Sequence, residues 1–599
     1  MSTSRTNARC SLILIAGLAA TAVVLFVGLV ALVAAGRAVA GSTLVPRKTL
    51  LELDLTTPPA EHAVLDDLSA LLMGPERLSV RDIVDALDRA ADDRRVTGLV
   101  VTVGGDGGGM AVIQELRQAM ERFREAGKPV VAFAETFGEA GPGNGGYYLV
   151  SDADHIVLQP SGDVGLVGLV WQAQFLKDAL HKLEIQPQLD QRWEYKSAMN
   201  QFTERSFTDA HREATESVLN SQQRQLVQGI AAGRDMSERQ VLDLLDRGPF
   251  VAQEALEAGL VDQLGYRDEA YEKARLLAGD ADLLYVGRYL ERRGRPHQRG
   301  PKVALIYGVG SVVRGSSSYD PLLGTQTMGS DTVAAAFRAA VADGSVRAIV
   351  FRIDSPGGSY VASDTIWREV ERARAAGKPV IATMGNVAGS GGYFVAMAAD
   401  RIVAQPGTVT GSIGVLGGKL VVRDFLANKL GITVDDVAVS EHARMYLSTS
   451  PYSADEWQRH QVWLDRVYAD FTSKVATGRD MEVDEVRRVA RGRIWTGQDA
   501  HDLGLVDALG GYAEAIALAK EAMGLEPEED VRLTLFPKPR PWWAQLVATA
   551  PESGEPVGTA RSMARVLDAA RPWLEVAGQA GLLDDDRHAL SMPVTPPLP

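Results

Sequence analysis

The chain has 599 residues, with 62 Lys+Arg against 77 Asp+Glu, and its formal net charge of −15 argues against a nucleic-acid binder held by a general basic surface. A hydrophobic content of 46% with 6% aromatics is ordinary for buried cores, so several folded domains are expected rather than wholesale disorder. The single cysteine, Cys10, excludes an intramolecular disulfide framework and a Cys-rich zinc site. No metal or other cofactor is called for.

Residues 1–10 precede an uncharged, mostly apolar run over 11–36. At ~1.5 Å per helical residue this run exceeds the ~30 Å hydrocarbon core of a bilayer, and it predicts a transmembrane anchor with the bulk of the chain translocated. Ala38-Val39-Ala40 has the small-x-small form of a cleavage site, but the run is longer than the ~7–15 residues of a secretory h-region.

From residue 45 the sequence repeats itself. Val96–Val103 followed by Gly107-Gly108 matches Val346–Ile353 followed by Gly357-Gly358. Ala126-Gly127-Lys128-Pro129 recurs as Ala376-Gly377-Lys378-Pro379 at the same spacing. Further on, Gly233-Arg234-Asp235-Met236 recurs as Gly478-Arg479-Asp480-Met481, and Gly259-Leu260-Val261-Asp262 as Gly504-Leu505-Val506-Asp507. Each copy runs from an apolar, β-branched segment through a Gly-rich turn and an amphipathic stretch to another apolar segment, an α/β pattern with a largely parallel sheet. Long helical patterns at 208–232 and 453–476 are expected to pack outside each core or against a neighbouring subunit. The domains predicted are 45–288 and 301–535, joined by a basic, Gly/Pro-punctuated linker at 289–300 and followed by a Pro-rich, partly disordered tail at 536–599. Within that tail Pro541-Trp542-Trp543 reads as a surface anchor, and 560–576 as a helical patch.

The chemistry concentrates in the second copy, where Asn386-Val387-Ala388-Gly389-Ser390-Gly391-Gly392-Tyr393 follows a predicted strand over 379–384. A serine on a tight strand-to-helix turn among glycines has the setting of a nucleophile. The first copy keeps the turn as Gly143-Asn144-Gly145-Gly146-Tyr147 but has Asn144 in place of the serine, so the turn itself does not require one. A serine needs a base. No histidine occurs between His297 and His442, and His442 and His460 lie in polar stretches with no evident orienting carboxylate. Lysine is the other option if burial lowers its pKa. Lys196, in Glu194-Tyr195-Lys196-Ser197-Ala198, is such a lysine, whereas the second copy has none between Lys429 and Lys474. One copy has the lysine without the serine, the other the serine without the lysine. Ser355 and Ser359 in the Gly-rich turn are rival nucleophiles, but they align with Gly105 and Gly109 and fit a turn-shaping role.

Asp354-Ser355-Pro356-Gly357-Gly358-Ser359, Ala388–Tyr393, Thr410-Gly411-Ser412-Ile413-Gly414, Tyr195-Lys196-Ser197 and Trp495-Thr496-Gly497-Gln498-Asp499-Ala500 together resemble the long, duplicated, membrane-anchored form of signal peptide peptidase A (protease IV, peptidase family S49). The resemblance covers about residues 45–535. It implies two tandem ClpP/crotonase-like α/β superhelix domains with additional long helices, and a homo-oligomer, tetrameric in the long form. By the same resemblance Ser390 is the nucleophile, Lys196 the general base and Ser412 the residue orienting the amine, with the amides of Gly357 and Gly391 forming the oxyanion hole. Gly389 stands where family members often have Ala, and Asn200-Gln201-Phe202 where they have Glu-Pro-Phe; neither touches a proposed catalytic atom. The implied activity is cleavage of released signal peptides and other hydrophobic peptides on the outer side of the bacterial cytoplasmic membrane, with no nucleic-acid partner. The alternatives are a crotonase-type acyl-CoA enzyme and a non-catalytic membrane scaffold of the same fold.

Overall fold

The computed structural model describes residues 44–62, 78–105, 108–320 and 325–537 and the short strand Leu590–Ser591. The expected anchor over 11–36 lies outside the described residues, as do the features expected at 541–543 and 560–576. Among the described residues no helix is long and apolar enough to cross a membrane.

The apolar runs picked out by the repeat are the central strands of two sheets. In the first lobe the order is Gln263–Leu264, His155–Leu158, Val130–Ala134, Val96–Val103, Thr49–Leu55, Asp282–Tyr285, with every neighbouring pair parallel. In the second it is Ile494–Thr496, Val409–Gly411, Val380–Gly389, Val346–Ser355, Lys302–Val309, Arg532–Phe536, with Arg401–Ala404 and Ala508–Leu509 branching from Val380–Gly389. Helices cover these sheets, which is why the inner strands are buried along nearly their whole length and read as continuous apolar runs. The described residues are therefore mixed α/β in both lobes.

Polar residues punctuate the helices where the orphan N–H groups of the first turn need acceptors. Ser79 and Ser453 form capping boxes, and Thr208 and Ser359 accept from the backbone of His211 and Ala362. The two long helices expected near 208–232 and 453–476 run over Asp209–Gly233 and Ala454–Arg479. The first does not stay on its own lobe. Its Ala214 and Val218 pack with Val409 and Ile494 of the second lobe, and Gln222 Nε2 donates to Gly407 O at 2.9 Å. The linker expected at 289–300 begins inside the helix Val286–Arg293, because Tyr289 and Leu290 are buried and carry the helix into the basic stretch.

One further pairing joins the lobes. Gln186–Arg192 of the first runs antiparallel to Val415–Val421 of the second, in register from Val415↔Arg192 to Val421↔Gln186. Lys196 follows four residues after the end of one strand, and Ser412 precedes the start of the other by three. The ladder thus brings the two lobes' chemistry to one place.

Candidate active site

Strand Val380–Gly389 pairs with Val409–Gly411 in the register Gly389↔Gly411, so residues 390 and 412 leave the sheet side by side. Ser390 N–H donates to Gly411 O at 2.8 Å, and Ser412 N–H to Arg493 O at 2.7 Å. Both serines have left-handed backbones, with φ of +56° and +52°. Ser390 also has ψ of −115° and is followed at once by the helix Gly391–Ala396. A non-glycine residue held in such a conformation costs of order 1–3 kcal/mol, so the surrounding bonds must impose it. The result is a side chain turned out of both strand and helix.

Lys196 reaches this point from the other lobe. Lys196 N–H donates to Trp193 O at 3.0 Å, and Trp193 N–H to Arg491 O at 3.3 Å. Gly492, at φ +84°, presses against the lysine backbone so closely that a Cβ there would lie 2.4 Å from Lys196 N. The lysine is 1% exposed. Its Nζ lies 2.6 Å from Ser390 Oγ, 3.0 Å from Ser412 Oγ and 2.9 Å from Ser412 O.

Among the described residues no carboxylate compensates the amine. Burial alone holds the Lys196 pKa well below the ordinary lysine value, because an ammonium out of water loses its hydration without a counter-charge. A neutral amine has two N–H groups and one lone pair. Ser412 offers two acceptors, its carbonyl and its hydroxyl, which leaves the lone pair for Ser390 O–H. Donor count and geometry agree.

The remaining expected residues flank this pair. The space beside Gly391 is so tight that a Cβ there would lie 3.1 Å from Gly357 Cα and 3.0 Å from Gly358 N. Gly357 N–H donates to Ser355 Oγ at 3.2 Å, a long bond that leaves room for a second acceptor. Ser355 Oγ in turn donates to Gly310 O at 2.7 Å, and Ser359 Oγ caps the helix Tyr360–Ala375, so both rival serines are occupied in shaping the turn. Among the described residues no histidine bonds Ser390. His442 does have a carboxylate partner, Asp455 at 3.1 Å, which its sequence context did not reveal; His460 stacks between Tyr452 and Trp463. In the first lobe Asn144 Oδ1 accepts from Val167 and Gly168 N–H, each at 3.0 Å, and Nδ2 donates to Gly168 O at 2.9 Å. Among the described residues no cluster of three or more His, Cys, Asp and Glu side chains is arranged to hold a metal ion.

Sequence reasoning missed three supports. Arg352, 0% exposed, reaches from the second lobe to Glu61 at 2.7 Å and Glu115 at 2.8 Å in the first. A charged residue inside the apolar run Val346–Ile353 was its available signal. Asn386 Oδ1 accepts from Val112 N–H at 3.1 Å and so caps a first-lobe helix whose own cap residue, Gly109, has no side chain. Asp354 Oδ1 accepts from Val387 N–H at 2.9 Å on the strand carrying Ser390. Burial, reinforced by the charge of Glu61, raises the Asp354 pKa to about 7.

The sequence model of peptidase family S49 matches residues 122–280 and 372–526. "Protease 4" of Salmonella typhi is 33% identical over 461 residues, 75% of this chain and 72% of that protein. "Serine protease SPPA, chloroplastic" of Arabidopsis thaliana is 31% identical over 77% of this chain and 68% of that protein. "Protease 4" of Haemophilus influenzae is 30% identical over 76% and 75%. Among solved structures a point mutant of ClpP1 from Listeria monocytogenes matches at a TM-score of 0.23 and 13% identity, over 35% of this chain and 94% of that one.

Proposed function

Given that the chain belongs to peptidase family S49, and is therefore a serine peptidase, we propose that it cleaves peptide bonds with a Ser390–Lys196 dyad assembled across its two lobes. The observation that carries the reading is the 2.6 Å approach of a buried, carboxylate-free lysine amine to Ser390 Oγ. Ser390 Oγ attacks the scissile carbonyl carbon while its proton passes to the lone pair of neutral Lys196. The resulting ammonium returns the proton to the leaving amine, and water then enters by the same route to release the acyl group. Ser412 accepts the lysine's two N–H groups and so aims the lone pair. The amides of Gly357 and Gly391 hold the oxyanion, with the long Gly357–Ser355 bond shared or exchanged as charge develops on the substrate oxygen.

This reading leaves an acyl-CoA enzyme and an inert scaffold without support, since neither uses a lysine-bound serine. The substrates proposed are extended, apolar peptides such as released signal peptides. The two lobes are read as tandem ClpP/crotonase-like domains, anchored by residues 11–36 in the bacterial cytoplasmic membrane with the site on its outer side. A homo-oligomer, tetrameric by family resemblance, is part of the same proposal. Nearly full exposure of Val437 and Val439 on the second lobe supports a further contact between copies; light scattering of the detergent-solubilised chain tests it, and a monomer would contradict it.

The dyad is tested by incubating the purified chain with a hydrophobic leader peptide and, separately, with a serine-directed fluorophosphonate. Wild type should cleave and be labelled, Ser390→Ala should do neither, and Lys196→Ala should remain folded while losing both. Cleavage by Lys196→Ala at the wild-type rate would overturn the dyad.

A further inference from the structure

The strand that delivers Ser390 is twice as long as its first-lobe counterpart. Val130–Ala134 has five residues and Val380–Gly389 ten, and the added half begins at an irregularity. Ile353 pairs with Met384 and Ser355 with Ala388, so the single residue Asp354 stands opposite Gly385, Asn386 and Val387. A bulge of this kind leaves backbone groups without ladder partners and re-aims whatever follows it. Those groups find other partners here. The N–H groups of Asn386 and Val387 both donate to the Asp354 carboxyl, the second at 2.9 Å, and Gly385 O accepts from Thr408 Oγ1 at 2.9 Å.

The neighbouring residues are fitted to this arrangement. Gly385 has no side chain where a Cβ would lie 3.0 Å from Asp354 Cγ. The bulge also turns Asn386 toward the first lobe, where its Oδ1 accepts from Val112 N–H at 3.1 Å in the first turn of the helix Met110–Glu125. A Cβ on Gly109 would overlap that amide group. Four residues therefore separate a contact with the lysine-bearing lobe from the serine that the lysine must meet. The first lobe is built otherwise. At the spacing of the repeat Asp354 aligns with Gly104, which has no side chain to accept an amide, and Asn386 with Thr136. The strand there ends at Ala134, and the turn beyond it presents no hydroxyl nucleophile.

We propose that Asp354 and Asn386 are positioning residues for the hydrolysis: Asp354 carries the strand through its bulge to Ser390, and Asn386 holds that strand in register with the lobe that supplies Lys196. This role rests on the peptidase reading of Ser390. A misplacement of about 1 Å between reacting groups can cost about a hundredfold in rate. Neither side chain is asked to touch the substrate, so the loss falls on kcat and on the reactivity of Ser390, and KM is spared. In the full chain, leader-peptide kinetics, the second-order rate of fluorophosphonate labelling and the urea unfolding midpoint are measured side by side. Asp354→Ala should lower kcat and the labelling rate about a hundredfold, with KM within about twofold of wild type. Asp354→Asn, whose amide oxygen can accept in the same place, should stay within about fivefold of wild type. Asn386→Ala keeps the bulge and removes only its tie to the first lobe; it should lower kcat about tenfold, and it decides alone if Asp354→Ala does not fold. Wild-type kcat in either alanine variant, with the cost confined to the unfolding midpoint, would overturn the proposal, as would an Asp354→Asn chain no faster than Asp354→Ala. Cleavage that survives Ser390→Ala would instead remove the reading beneath it.

Discussion

The two lobes share a scaffold to the level of single hydrogen bonds. Tyr147 OH donates to Leu260 O at 2.8 Å in the first, and Tyr393 OH to Leu505 O at 2.9 Å in the second. Arg234 pairs with Asp262, and Arg479 with Asp507, so the repeated Gly-Arg-Asp-Met and Gly-Leu-Val-Asp motifs are the two ends of one contact in both lobes. At the turn where chemistry is expected they part. The first-lobe helix includes Asn144, whose side chain is tied to the loop at 167–168; the second-lobe helix starts one residue later, leaving Ser390 at φ +56° and free to meet Lys196. The same chain reversal is built without strain where nothing is activated and with strain where a hydroxyl must be presented.

The sharpest way to break this comparison is to remove either half of the pair. Ser390→Ala and Lys196→Ala should each lower kcat/KM by ~10³-fold or more, and the double variant should be little worse than either single one, because the two act as a unit. Leader-peptide hydrolysis checks this, and an additive loss would separate the residues. Next in size is the seam between lobes. Arg352→Ala leaves Glu61 and Glu115 buried without their cation and should cost about 3–5 kcal/mol, read as a lowered midpoint in urea unfolding.

How much of this was legible in the sequence follows from how local each signal was. The repeat, the parallel strands and the serine turn are written in short apolar runs and glycines, and they stand where expected. Lys196 carried no local mark; its reading came from the reciprocal gap between the copies and the resemblance. The ladder that brings it to Ser390 was not legible, because Gln186–Arg192 is polar, half-exposed and pairs with a segment more than two hundred residues away. Asn386 was opaque for a related reason, since it caps a helix in the other lobe.

Smaller effects sharpen the account. Ser412→Ala removes one of the two acceptors that aim the lysine lone pair, a loss of about 1 kcal/mol, so kcat should fall about fivefold while KM stays near its wild-type value in steady-state kinetics. Asn144→Ser should add no activity. Placed in a Ser390→Ala background it should give no detectable hydrolysis or probe labelling, because the turn at Asn144 is unstrained and the first lobe's Lys196 is aimed at residue 390 in the other lobe. Labelling at residue 144 would show that the lobes differ by less than their structures indicate.

Protonation of Lys196 bears most directly on the central claim. Only the neutral amine can take the proton of Ser390, so reactivity is lost as pH falls through the lysine's lowered pKa and is present above it. The second-order rate of fluorophosphonate labelling at Ser390, measured against pH, should rise tenfold per pH unit on the acid side and level off well below the ordinary lysine value of 10.5. In Lys196→Ala that limb should vanish and the rate should stay at a low, flat level. A wild-type rate that climbs until the ordinary lysine range, or a Lys196→Ala chain that keeps the wild-type profile, would contradict a lysine of one lobe activating the serine of the other.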